Sequence, residues 1–195
     1  MRRYARFSTI VLATLAAAGC NESTTPGLGR AEALIVDPPA AAPTVAGSLA
    51  GNTFASISTD GTTWVDLGSP NGITVPLQAA GSATVHGEQD APTGTYTRVR
   101  LIFEGVTARL TSGSVIGGTT LTSNVNLPLG GADQRVEVVV AVPAFTVDAD
   151  AGIQRTIAFE LRSYLWITAA ALQAGTVTDA TIQGAVVATT RVDNR

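Results

Sequence analysis

Two side chains with distinctive chemistry occur once each in this chain of 195 residues: Cys20 and His86. One thiol cannot close an intrachain disulfide. One imidazole cannot build the multi-histidine or multi-cysteine shells that hold zinc or iron. All twelve basic residues are Arg, and Lys is absent, which removes Schiff-base catalysis and a phosphate-loop lysine. Acid–base chemistry would fall to His86, with Glu88 and Asp90 nearby in sequence. No Gly-x-Ser-x-Gly elbow supplies it with a nucleophile, so a solvated His beside a loop is expected and the chain reads as non-enzymatic. Asp148 and Asp150 alternate in a way that could converge on calcium. The third ligand, the glycine position and the closing Glu of a calcium loop are missing, and a solvated turn is the preferred reading. Arg98, Arg100 and Arg109 could share a sheet face and bind a carboxylate or sulfate; solvated residues paired with Asp or Glu are preferred. Trp64 and Trp166 could form a sugar-stacking platform, although two Trp so far apart are more often core anchors. No cofactor is implied.

The N-terminus carries an address. Arg2, Arg3 and Arg6 precede an apolar run over residues 7–18, too short for a permanent membrane span. The run ends in Ala17-Ala18-Gly19-Cys20, which resembles the bacterial lipobox, where small residues precede a lipid-modified Cys. Position 17 departs from it, with Ala in place of the usual Leu. The resemblance implies a signal peptide over residues 1–19 and lipidation at Cys20. Asn21, in place of the Asp linked to inner-membrane retention, implies the outer membrane of a Gram-negative cell. Cleavage leaves nine Arg against fifteen acids, a net charge of −6 instead of −3. An acidic surface disfavours nucleic acid and unaided binding to anionic lipid. The membrane is then reached through acyl chains.

These residues need a scaffold to position them. Residues 20–44 contain Pro26, Pro38, Pro39 and Pro43 and read as the lipidated Cys with a flexible tether. Residues 34–36 could pair briefly with a sheet edge, but a linker is expected. From residue 45 onwards Thr and Val are frequent and turn dipeptides recur. Residues 54–67 read as a hairpin turning at Asp60-Gly61. Strands follow at 73–77, 82–86, 96–103, 106–110, 121–129, 136–142, 156–161, 164–168 and 181–190, with a helical turn at 169–174. Glu104-Gly105 marks a bulge or tight hairpin. The apolar run at 136–142 reads as a central strand covered on both faces. Alternation puts Val99, Leu101 and Phe103 inward on one strand and Ile157, Phe159 and Leu161 inward on another. The prediction for 45–195 is an all-β, two-sheet antiparallel sandwich with Greek-key connections, immunoglobulin- or transthyretin-like. A partly closed barrel is the alternative.

The segment Pro92-Thr93-Gly94-Thr95-Tyr96-Thr97-Arg98-Val99-Arg100-Leu101 is similar to the motif of a bacterial family of domains of unknown function, number 4382 in its series. Trp64, Leu67, Asn71-Gly72 and Phe159-Glu160 with Ser163 fall in that family's order. The closing strand has no counterpart here. The resemblance implies a secreted β-domain in a lipoprotein and transfers no activity. Gly94 is expected to supply a turn dihedral, and Tyr96 to pack at a sheet corner with its hydroxyl on the backbone. Ser58 to Trp64 also resembles an Asp-box hairpin, one residue short and present once. The function expected is a non-catalytic envelope lipoprotein, structural or binding a glycan or protein partner. An envelope hydrolase is the alternative.

Overall fold

Segments rich in β-branched residues and alternating between apolar and polar form strands, because one pleated face can then leave water. The computed structural model describes residues 27–39, 45–68, 71–78, 83–149, 154–187 and 190–194. In chain order the strands are β1 (Leu28–Val36), β2 (Gly47–Ser58), β3 (Val65–Asp66), β4 (Asn71–Pro76), β5 (Ala83–Pro92), β6 (Gly94–Leu110), β7 (Val115–Ile116), β8 (Thr119–Thr120), β9 (Val125–Pro128), β10 (Arg135–Val147), β11 (Gln154–Glu160) and β12 (Arg191–Asn194). Two short helices, α1 (Ala169–Ala174) and α2 (Asp179–Val187), separate β11 from β12. One sheet runs β12-β11-β1-β5. A second runs β10-β6-β2-β3, with β4 also on β2 and β9 also on β6, and β7 and β8 pair as a small two-stranded sheet. The fold is an all-β sandwich, and none of the sheets closes into a barrel.

Residues from both sheets fill one core, including Ile35, Ile57, Leu101, Phe103, Val138 and Phe159. Val99, Leu101 and Phe103 are all buried, as are Ile157, Phe159 and Leu161, so the expected registers hold. Glu104-Gly105 forms a bulge within one long β6. Two residues of β6 there, Gly105 and Val106, oppose one of β2, Gly51, and Gly105 takes φ +61°, a dihedral open to glycine. The extra residue restores the alternation, so Val106, Ala108 and Leu110 still face the core.

Five expectations are corrected. Residues 28–36 are not tether. β1 lies between β5 and β11, antiparallel to the first and parallel to the second, so the folded unit includes residues 28–36 and its sheet is mixed. The prolines of residues 20–44 flank this strand and do not interrupt it. Gly29 lets β10 cross over β1: a Cβ there would sit 2.0 Å from the Asp148 carbonyl oxygen. Most of the span 181–190 is helix, not strand. Ile182, Ala185 and Val186 recur at helical spacing and enter the core while α2 lies against β10. Ser163–Leu165 is a 3-10 turn where a strand was expected. β10 is an edge strand, buried on alternate residues from Val136 to Val142, with Ala141 exposed on its other face. The fifth correction is Gly94, whose φ is negative; a Cβ there would meet only the Tyr96 ring at 4.0 Å.

Candidate functional site

The outer face of the six-stranded sheet gathers a cluster of charged and aromatic side chains. Inward alternation along β6 sends Arg98 and Arg100 outward. Arg100 lies opposite Ser56 of β2, and Ser56 lies opposite Asp66 of β3. Ser56 Oγ donates to Asp66 Oδ1 at 2.7 Å and accepts from Arg100 Nη2 at 3.2 Å. Asp66 and Glu137 flank the guanidinium at 3.8 and 3.7 Å. Glu137 holds Arg135 at 2.8 Å, and Arg135 reaches Glu104 at 3.6 Å. The guanidinium carbon lies 4.4 Å from the centre of the Trp64 ring, a cation–π contact. Arg100 Nε is buried and has no hydrogen-bond partner among the described residues.

The loop between β2 and β3 sets Trp64 in place. It has six residues, not the two of a tight Asp-Gly turn. Asp60 Oδ1 accepts from the backbone N–H of Thr62 at 2.8 Å and of Thr63 at 2.9 Å. These bonds hold its carboxyl well below the usual range. Ser58 Oγ accepts from Gly61 N–H at 2.8 Å, and Thr97 Oγ1 donates to the Thr59 carbonyl at 3.0 Å, tying the loop to β6. The half-buried Trp64 is therefore delivered by a locally ordered loop over a strand residue.

The predicted site residues mostly do not meet. Trp166 is 1% exposed, and its indole N–H donates to the Leu161 carbonyl at 2.8 Å; it is a core anchor and forms no platform with Trp64. Arg109 shares the outer face but stands nine residues beyond Arg100, roughly 30 Å at about 3.3 Å per residue. Arg98 donates to the Thr97 carbonyl at 3.1 Å. No three-arginine anion site is assembled. Asp148 faces Arg155 at 3.5 Å; Asp150 and Cys20 lie outside the described residues. The backbone of His86 pairs with Ala33 across β5 and β1, and its side chain lies outside the described ones. Among the described residues no three of His, Cys, Asp and Glu converge as metal ligands.

The expected corner is present. Tyr96 is buried, its hydroxyl donates to the Pro92 carbonyl at 2.6 Å, and its ring stacks on Phe145 at 5.7 Å. Only Thr93 separates β5 of one sheet from β6 of the other, so this bond locks the change of sheet. Burial raises the pKa of the phenol.

Asp37 was not anticipated. Its residue is 0% exposed, at the end of β1. Oδ1 accepts from Ser163 N–H at 2.7 Å; Oδ2 accepts from Gln78 N–H at 2.7 Å and from Ser163 Oγ at 2.5 Å. Burial raises its pKa, and the three bonds partly offset that rise. Gln78 and Arg162, which precedes Ser163, both take positive φ. This aims the bonded amides at a cost of order 1–3 kcal/mol per strained residue.

A groove of about 560 Å³ runs between β10 and β12, lined by Phe145, Thr146, Arg155, Arg191 and Val192 among others. Arg155 Nε donates to the Thr146 carbonyl at 2.6 Å, and Arg191 pairs with Glu160 and Asp193. Arg155 also faces Asp148 at 3.5 Å, so both guanidiniums have carboxylate partners. The chain matches no protein-family model, no curated protein and no solved structure.

Proposed function

We propose that this chain is a non-catalytic cell-envelope lipoprotein, held through Cys20 on the outer membrane of a Gram-negative bacterium, whose sandwich serves as a binding or structural module. The Trp64–Arg100 face carries the reading. Its cation is enclosed by an aromatic ring and two carboxylates, an arrangement suited to recognising shape and stacking. Other groups with chemical potential, Asp37 and Tyr96, are committed to holding strands together. The 92–101 motif supports the same assignment and, with it, membership of the 4382 family. The ligand class proposed is a glycan or an envelope protein meeting the outer sheet face at Trp64.

The test is a screen of glycans and envelope proteins against the exported Cys20→Ser chain. Binding that drops at least tenfold in Trp64→Ala, with an unchanged melt, supports the module. A hydrolytic activity lost in His86→Ala, with normal folding, would replace it by the envelope-hydrolase reading.

A further inference from the structure

The distance between the proposed anchor and the first strand fixes which end of the sandwich meets the membrane. β1 starts at Leu28 and is bonded on both sides, to β5 over residues 28–36 and to β11 over residues 30–36. Ala31, Ala33 and Ile35 are fully buried, so the strand cannot be drawn out to lengthen the connection without opening the core. Eight Cα steps separate Cys20 from Leu28. Their contour cannot exceed about 29 Å at roughly 3.6 Å per residue, whatever path they take.

The chain leaves the domain at one defined end. Gly27 accepts a bond from Thr93 N–H at 2.7 Å, and a Cβ on it would lie 3.1 Å from Ala149. This end is therefore built from the start of β1, the β5–β6 corner and the end of β10. Leu28 there is 57% exposed, the highest value among the exposed large apolar residues described. The opposite end holds Asp37, the 3-10 turn and Leu165, because β1 and β11 run parallel and both point that way. β1 alone separates the ends by roughly 26 Å at about 3.3 Å per residue. Turning the Leu165 end to the bilayer would use almost the whole contour simply to pass the side of the domain.

We infer that the Leu28–Thr93–Ala149 end of the sandwich rests against the lipid surface and that the Asp37–Leu165 end points away from it. This rests on the lipid-anchor reading. The contact is with the bilayer itself. Arg30 lies near Asp90 in register, and Arg155 is paired with Asp148, so this end offers no surplus of positive charge. Leu28 and the acyl chains supply the attraction.

The experiment uses the full chain purified from membranes, with one new thiol at Ala149→Cys or at Leu165→Cys, both exposed positions. An acylated Cys20 does not react with the label. The labelled proteins are placed in phosphatidylcholine vesicles whose head groups carry a nitroxide quencher. The expected result is loss of most emission at position 149 and retention at position 165. An insert of about twenty Gly/Ser residues after residue 26 should restore emission at 149 by lengthening the reach. Equal quenching at both positions, or stronger quenching at 165, would overturn the orientation alone, provided the intact mass shows an acylated chain. An unacylated mass would overturn the anchor and the orientation together.

Discussion

Asp37 shows how far a single residue's role can lie from its sequence neighbourhood. Its partners are Gln78 and Ser163, 41 and 126 residues away. Nothing near Asp37 in the chain announces a buried carboxylate; Asp-Pro before a proline-rich stretch reads as a turn. Asp37→Ala should leave two buried N–H groups without an acceptor and cost about 2–5 kcal/mol in chemical denaturation. The pH dependence has a definite sign. In the unfolded chain this carboxyl titrates near 3.9, and in the folded chain higher. Between the two values the folded state binds more protons. Its stabilising contribution is complete below the unfolded value and declines as pH rises through the folded one. Stability measured across mildly acidic pH should show that decline in the wild type and lack it in Asp37→Ala.

Tyr96 is the opposite case. Its partner is the carbonyl four residues back, so the motif at 92–101 was enough to place both ring and hydroxyl. Tyr96→Phe keeps the stacking on Phe145 and loses one bond, at about 0.5–1.5 kcal/mol by thermal or chemical melt. Trp64 was legible as a chemically interesting residue. Its pairing with Arg100 was not, because the contact depends on a six-residue loop folding back over β6.

At the scale of elements, alternation identified strands well wherever one face is buried and the other exposed. Phe103 and Phe159 are buried as their registers demand, and Phe→Ala at either should cost roughly 3–5 kcal/mol. A cost below about 1 kcal/mol would contradict that packing. β1 was hidden by composition. The prolines at 26, 38, 39 and 43 give its neighbourhood the character of a linker, yet the nine residues of the strand contain none. Averaging over the longer window erased a strand buried on both sides. A chain beginning at residue 27 should melt cooperatively. One beginning at residue 45 should lose that cooperativity, read by circular dichroism, because β5 and β11 would face each other across a missing strand. The helix α2 escaped for a different reason. Thr and Val favour strands only weakly, and packing of Ile182, Ala185 and Val186 against the core overrode that preference.

The whole molecule is a sandwich whose two main sheets share one core. In the smaller sheet β1 and the middle of β11 are covered on both faces, with Ala33, Leu34 and Ile35 consecutive and buried, as are Ile157, Ala158 and Phe159. In the larger sheet β2 and β6 are also covered locally on both faces, over residues 55–58 and 101–103, and the outer face carries Trp64, Arg100, Glu137 and Arg135. That layer of charged and aromatic side chains is what makes the outer face of the larger sheet the proposed contact surface. If Cys20 is acylated as proposed, its short connection to β1 sets how such a surface would be presented to the cell envelope. The proposed anchoring and orientation depend on the thiol at Cys20 being acylated in the cell. The most direct measurement is metabolic labelling with an alkyne fatty acid, comparing wild type with Cys20→Ser. The account predicts label on the wild-type band and none on the variant at equal expression; equal labelling of both chains, or label on neither, would contradict it.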